Sequence, residues 1–153
     1  MDLADKATPV SDRDQIRAIE WDCSQTVIRM GYLLDTGDFD GFARYFTEDG
    51  YWLKRGEPLQ GREAIARNCA SRSPTLKIRH VFTNFIVDVV DDRHATCVCY
   101  MSGRRADPGE ASDGALPAHD IALWVYHDEM VREGDVWLVA KRIQERVFEN
   151  DLV

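Results

Sequence analysis

Apolar residues follow a helical period in the first part of the chain. Between residues 11 and 36 they recur every three or four positions, which predicts a long helix with one buried stripe. Ser11 and the acids that follow it resemble a capping box at the start of this helix, and Thr36-Gly37 ends it. The members of the stripe are Ile16, Ile19, Cys23, Val27, Met30 and Leu34.

Two shorter helices and one short strand are expected before Pro74. Asp38 is placed to cap a helix over 39–46, and Gly61 precedes a helix over 62–71. Between these helices, the aromatic run at 51–53 indicates a short strand.

The period changes from 3.6 to 2 after Pro74, where four segments rich in Val, Ile, Thr and aromatic residues predict long strands. Helices followed by an antiparallel run of strands indicate an α+β fold, with three helices packed on a strongly curved, mainly antiparallel sheet. Such a sheet, closed by helices, makes a cone with a pocket inside. The four predicted strands are 77–91, 95–105, 118–132 and 136–147.

The 153 residues fit one domain, expected over 11–153 after a disordered lead over 1–10. A formal net charge of −8 argues against a nucleic-acid partner. No apolar run approaches the roughly 20 residues of a membrane span, and the polar N-terminus is unlike a signal peptide. We therefore expect a cytoplasmic protein. Its four cysteines are expected to be buried, reduced thiols, and we expect neither a metal site nor a cofactor.

Two polar residues, Asp35 and His80, lie at positions where each needs a hydrogen-bond partner. Asp35 lies at the end of the first helix, and His80 lies among alternating apolar residues on the first long strand. Neither group is stable in an apolar interior without a hydrogen bond. If the fold brings them together, they form an Asp–His pair able to move protons near neutral pH. The alternatives are a core histidine bound to a backbone carbonyl and a carboxylate that caps a turn.

Alternation along the predicted strands assigns the remaining side chains to faces. His80, Phe82, Asn84 and Ile86 are expected on one face of the first strand. His119, Ile121, Leu123 and Val125 are expected together on the third strand, although Pro117 makes an exposed position for His119 an open alternative. The opposite face would carry an apolar patch that a homodimer or homotrimer covers. That patch comprises Val81, Phe85, Val87, Val98, Trp124 and Tyr126.

Four motifs in order resemble the SnoaL-like proteins of the nuclear transport factor 2-like superfamily. They are YLLDTGDFD at 32–40, FTEDG at 46–50, GREAI at 61–65 and RHVFTN at 79–84. The resemblance covers roughly 12–147 and implies the cone-shaped fold of that superfamily. Members include scytalone dehydratase and related dehydratases, isomerases and cyclases, as well as the small subunits of ring-hydroxylating dioxygenases.

The resemblance also implies roles for individual residues. The dehydratase members use an Asp–His dyad, which corresponds to Asp35 and His80 here. His119 lies in an Ala-His-Asp context that is similar to the second histidine of scytalone dehydratase. The chain departs from those relatives where they carry a substrate-polarising tyrosine, because those positions are Leu34 and Met30.

The resulting hypothesis is a cofactor-independent lyase or isomerase that acts on a small, largely apolar, cyclic molecule. Asp35 would orient His80 as the base, and His119 would be the acid. The alternatives are a structural small subunit of a ring-hydroxylating dioxygenase and a non-catalytic small-ligand-binding protein. The long polar loop at 106–116 would border the site. Residues expected to bind the substrate are Tyr32, Tyr51, Trp52, Phe82, Asn84 and Leu123.

Overall fold

The computed structural model describes residues 8–107 and 117–148. Most of the predicted N-terminal lead and positions 108–116 of the predicted loop lie outside the described residues. The described elements are α1 (Arg13–Thr36), α2 (Phe39–Arg44), β1 (Phe46–Lys54), β2 (Glu57–Gln60), α3 (Arg62–Ala70), β3 (Lys77–Val89), β4 (His94–Ala106), β5 (His119–Glu133) and β6 (Val136–Arg146).

The ends of α1 follow from local hydrogen bonding. Asp12, rather than Ser11, caps the helix: its Oδ1 accepts the backbone N–H groups of Asp14 at 2.7 Å and Gln15 at 3.2 Å. Gly37 ends the helix in the left-handed region, with φ of 84°. The predicted stripe is buried from Ile19 to Leu34. Asp35 therefore lies in the last turn of a helix whose apolar face covers the sheet.

The strands form one sheet in the order β2-β1-β6-β5-β4-β3. All neighbouring pairs are antiparallel except β1 and β6, which run parallel. The predicted α+β class, with helices on a curved sheet, is confirmed. The predicted strand at 51–53 is the end of the longer β1, which forms a hairpin with β2.

A bulge interrupts the alternation of β3. The pairing of β3 with β4 shifts register between Thr83 and Ile86, and Asn84 takes a left-handed φ of 55°. After this bulge Phe85 and Val87 pack against the core, whereas Ile86 is 62% exposed. The prediction that Asn84 and Ile86 share the face of His80 is therefore wrong, because one extra residue turns the following side chains over.

A second register shift lies in β5, between the pairs Met101–Trp124 and Gly103–Ile121. Past this shift Trp124 and Tyr126 are buried on the inner face, which leaves Leu123 on the outer one. The predicted outer patch is thus wrong at four of its six positions, which are Phe85, Val87, Trp124 and Tyr126. Of the others, Val81 is exposed and Val98 is half-buried.

A buried ion pair joins β5 to β6. Asp128 accepts two hydrogen bonds from Arg142, from Nε at 2.8 Å and from Nη2 at 2.7 Å, and both side chains are almost fully buried. The guanidinium also lies 4.9 Å from the ring centre of Tyr126. Burial opposes its charge, but the Asp128 carboxylate outweighs this effect and raises the pKa of Arg142. The pair therefore links β5 to β6 inside the core.

Replacing Arg142 by Met should destabilise the protein by about 3–5 kcal/mol, because Asp128 would remain buried without its partner. The double replacement Asp128→Leu with Arg142→Met should be less harmful than Arg142→Met alone. Urea unfolding of the three variants measures both effects.

The matched control is Lys141→Met, which breaks the exposed pair of Lys141 with Glu129 at 2.9 Å. This change should leave the unfolding midpoint nearly unchanged. A double variant less stable than Arg142→Met would contradict the prediction.

Candidate active site

One carboxylate holds His80 through two hydrogen bonds. Asp35 Oδ1 lies 2.5 Å from Nδ1 of the His80 ring, and Oδ2 accepts the backbone N–H of His80 at 2.8 Å. The His80 side chain is 7% exposed and that of Asp35 is 8% exposed. The two residues that the sequence singled out are therefore in contact, where the last turn of α1 crosses the start of β3.

This geometry selects one tautomer of the histidine. An ionised carboxylate only accepts hydrogen bonds, so Nδ1 of His80 carries the proton that it shares with Asp35. In the neutral ring Nε2 is then left without a proton. His80 lines a cavity in the described part of the protein, whereas Asp35 does not line it. The arrangement is that of a base held in one orientation.

Further contacts from behind hold the His80 ring in place. The ring of Phe82 stacks on that of His80, with centres 6.2 Å apart and an interplanar angle of 18°, and meets Tyr126 edge-on at 5.5 Å. Phe82 fits beneath α1 only because Gly31 has no side chain: a Cβ there would lie 2.5 Å from Phe82 Cε2. Gly31 thus allows the close approach of helix and strand on which the dyad depends.

The cavity has a volume of about 860 Å³, within the range of small-molecule sites. It lies between the helices and the inner face of the sheet, and His80, His119 and Tyr126 all line it. His119 is exposed, whereas Tyr126 is 3% exposed. The larger apolar residues of the wall are Leu34, Trp52, Leu76, Ile78, Met101, Ile121 and Trp124.

The other predicted site residues divide into two groups. Trp52 lines the cavity. Phe82 does not line it, so the prediction that it binds the substrate is wrong; its ring stacks on that of His80 instead. Four others do not line it either: Tyr32, Tyr51, Asn84 and Leu123.

Each misplaced residue has a physical reason. Tyr32 is 69% exposed on the solvent side of α1. Tyr51 alternates with the inward Trp52 along β1 and pairs with Lys141 on the outer side. Asn84 forms the bulge of β3, and the register shift of β5 leaves Leu123 on the outer face. The prediction that these four bind substrate therefore fails on geometry.

Tyr126 is the main residue that the sequence analysis placed wrongly. Its hydroxyl oxygen lies 2.5 Å from Nε2 of Gln144, which donates a hydrogen bond to it. Burial raises the pKa of the Tyr126 phenol to about 12, so the group stays protonated at neutral pH. It is a neutral donor in the wall of the cavity that His80 lines. The sequence did not reveal that Tyr126 faces the cavity, because strict alternation without the register shift of β5 places Tyr126 on the outer face.

Lys54 is a second residue that was missed. Lys54 follows Trp52 by two positions on β1, and both line the cavity. Period-two alternation from Trp52 would have placed it there.

A family model for the SnoaL-like domain matches residues 11–143 of the chain. The chain belongs to this family. The predicted resemblance is thereby confirmed over nearly the whole domain.

Two relatives share more than a quarter of their aligned residues with this SnoaL-like protein. Terrestric acid biosynthesis cluster protein E of Penicillium crustosum is 27% identical over 134 residues, which cover 85% of this chain and 80% of that protein. A structure from Catenulispora acidiphila in complex with S-DNPA is 29% identical, covers 85% of this chain and 94% of its own, and has a TM-score of 0.71.

A third similar structure bears on the fold alone. It is a protein of Novosphingobium aromaticivorans provisionally assigned as a scytalone dehydratase. It is 17% identical, with 93% of each chain covered and a TM-score of 0.80. The fold of helices packed on a curved sheet is thus shared at low sequence identity.

Within 8–107 and 117–148, no three His, Cys, Asp or Glu side chains are grouped so as to hold a metal ion. No helix in the same ranges has both the length and the apolar character of a membrane span.

The shared proton of the dyad should be visible by NMR. We expect the Nδ1–H of His80 to resonate far downfield of the backbone amides, because it lies in a short hydrogen bond shielded from water. The signal should be absent in His80→Gln and in Asp35→Asn, and present in His94→Gln. His94 makes a similar but exposed pair with Asp91 and is the matched control. A downfield signal that persists in Asp35→Asn would contradict the assignment.

Proposed function

We propose that this protein is a cofactor-independent acid–base enzyme, a dehydratase-type lyase or an isomerase, acting on a small, largely apolar, cyclic molecule. The observation that carries the proposal is the buried Asp35–His80 pair beside a cavity of about 860 Å³. The SnoaL-like family membership and the biosynthesis-cluster relative support action on a small molecule.

The proposed chemistry begins with proton abstraction. Nε2 of His80 removes a proton from the carbon next to a carbonyl group, and Asp35 stabilises the imidazolium that forms. In an elimination, the electron pair left on carbon forms a double bond while the bond to the hydroxyl leaving group breaks. In an isomerisation, the imidazolium returns the same proton to a different carbon. A positioned base of this kind contributes on the order of 10²–10⁴ in rate.

Two further groups complete the proposal. Tyr126 would donate its hydroxyl proton to the carbonyl oxygen, on which negative charge develops as the C–H bond breaks. Tyr32 and Asn84, two polar residues that were expected to bind the substrate, do not line the cavity. His119, which lines the cavity and is exposed, would protonate the leaving hydroxyl group so that it departs as water.

The two alternatives from the sequence have less support. A non-catalytic binding protein gains nothing from a base held by two hydrogen bonds in one tautomer. A structural small subunit of a dioxygenase likewise has no use for a buried base beside its own cavity. Binding of this protein to a purified oxygenase subunit would support the dioxygenase small-subunit alternative.

The dyad should act as one unit on a general probe of base catalysis. In 5-nitrobenzisoxazole, loss of the ring C–H proton breaks the N–O bond and releases a coloured phenolate. We expect turnover above the buffer rate, and His80→Ala and Asp35→Asn should each lower kcat/KM about 10²–10⁴-fold. The double variant should be little worse than His80→Ala, because residues that act together do not have additive losses.

The matched control is His94→Ala, which removes an exposed histidine that also pairs with an aspartate. Its rate should equal that of the wild type. Tyr126→Phe and His119→Ala should lower kcat more than they raise KM, since both groups would act in the transition state. Strictly additive losses at Asp35 and His80, or full activity in His80→Ala, would refute the proposal.

We further propose that the outer face of β3 and β4 joins copies of the chain into a homodimer or homotrimer. Val81, Ile86 and Tyr100 are 49%, 62% and 41% exposed there on neighbouring strands. Sedimentation at micromolar concentration should show an oligomer that Ile86→Lys dissociates. Trp21→Lys, at a residue 65% exposed on α1, is the control and should leave it intact. A monomeric wild type would exclude this assembly.

A further inference from the structure

The charge of the cavity wall differs from that of the whole protein. The chain carries a formal net charge of −8, yet five basic and three acidic residues line the cavity. One of the acids, Asp120, is in a salt bridge with Arg104. The basic residues are Lys54, Arg55, Arg72, Arg105 and Arg146. A pocket whose lining is positive within a negative protein concentrates anions.

Of these five cations, Lys54 and Arg72 are half-buried and the other three are exposed. The ammonium group of Lys54 donates a hydrogen bond to Asn68 Oδ1 at 2.5 Å. No carboxylate of the described residues lies within salt-bridge distance of Lys54. It lies instead 5.1 Å from the ring centre of Trp52. A half-buried ammonium that contacts an aromatic ring and a neutral amide, and that has no salt bridge, can take an anionic ligand.

The neighbours of Lys54 increase the demand for an anion. Burial lowers the pKa of the Lys54 ammonium, and the guanidinium groups of Arg72 and Arg55 lower it further, while Cys69 and Glu57 act in the opposite direction. Asn68 uses its oxygen on Lys54, so its amide N–H groups remain as donors beside the ammonium. The indole N–H of Trp52 is also buried, without a partner among the described residues.

Lys54 and His80 lie on opposite walls of the cavity. Three strands lie between β1 and β3 in the sheet. The two strands are therefore roughly 19 Å apart when measured along the sheet, and closer when measured across its curved face. The strands between them contribute apolar and aromatic residues such as Met101, Trp124 and Tyr126 to the wall. A bound molecule that reaches both walls therefore needs an apolar body between a charged end and a reactive end.

We propose that Lys54, Asn68 and Arg72 form a subsite for a carboxylate, and that the substrate is a cyclic carboxylic acid. Its anionic group binds at β1 and α3, while the carbon that loses its proton faces His80. Only the placement of the reactive carbon at His80 rests on the proposed function. The anion subsite concerns binding alone and does not depend on it. A carboxylate matches the site because its two oxygens can accept from the ammonium and from the amide together.

The test compares two probes of the same shape, 2-naphthoate and neutral 2-naphthamide, by calorimetric titration. The wild type should bind naphthoate at least tenfold more tightly than naphthamide. Lys54→Met should abolish this preference by weakening naphthoate alone. Lys77→Met is the matched control: it removes the same charge from an exposed position of β3 outside the cavity and should change neither affinity.

Three outcomes would overturn the carboxylate subsite. They are equal affinity of the wild type for both probes, equal weakening of both in Lys54→Met, and a Lys54-dependent preference for 2-naphthyl phosphate over naphthoate. If Lys54→Met fails to fold by circular dichroism, Arg72→Gln takes its place and should weaken naphthoate alone by about threefold or more. Equal affinities for both probes in Arg72→Gln would support the subsite as well.

The experiment separates this inference from the proposed function. Asp35→Asn should retain the preference for naphthoate, because Asp35 does not line the cavity. A preference that depends on Lys54, together with full activity in His80→Ala, leaves the subsite standing and removes the enzyme proposal. The absence of any preference, together with loss of activity in His80→Ala, removes the subsite and leaves the enzyme.

Discussion

The two hydrogen bonds that His80 donates to Asp35 are the interaction on which the site depends. One carboxylate oxygen holds the backbone of β3, and the other holds the imidazole ring of the same residue. The end of α1, the start of β3 and the orientation of the ring are therefore fixed together. The missing side chain of Gly31 and the stacked ring of Phe82 serve the same contact, because both let the helix lie against the strand.

The sequence predicted the fold well because its signals are local. A change of period from 3.6 to 2, together with turn residues between the runs, was enough to place four strands within three residues of their ends. The dyad was predictable for a related reason: Asp35 and His80 each needed a partner, and the family resemblance indicated that they are partners. Their distance and burial, by contrast, arise only when α1 is packed on the sheet.

The errors have one main source, which is the insertion of single residues into strands. A bulge at Asn84 and a register shift in β5 turn every later side chain to the other face, and nothing in an alternating pattern shows that alternation stops. For this reason Tyr126 was predicted on the outer face of the sheet, and Leu123 was predicted on the inner face. The predictions for Tyr32 and Tyr51 failed for a different reason. Each was expected to bind the substrate, but each only stands next to a buried residue and does not line the cavity.

The parallel pairing of β1 with β6 has a consequence for how the molecule is made. β1 ends at Lys54 and β6 begins only at Val136, so β1 cannot pair with β6 until nearly the whole domain has left the ribosome. Until then β1 pairs with β2 alone, and such long-range pairings form slowly. The wall that carries Trp52 and Lys54 is thus the last to close. A nascent chain halted before Val136 would present β1 as an open apolar edge, prone to pair with other chains.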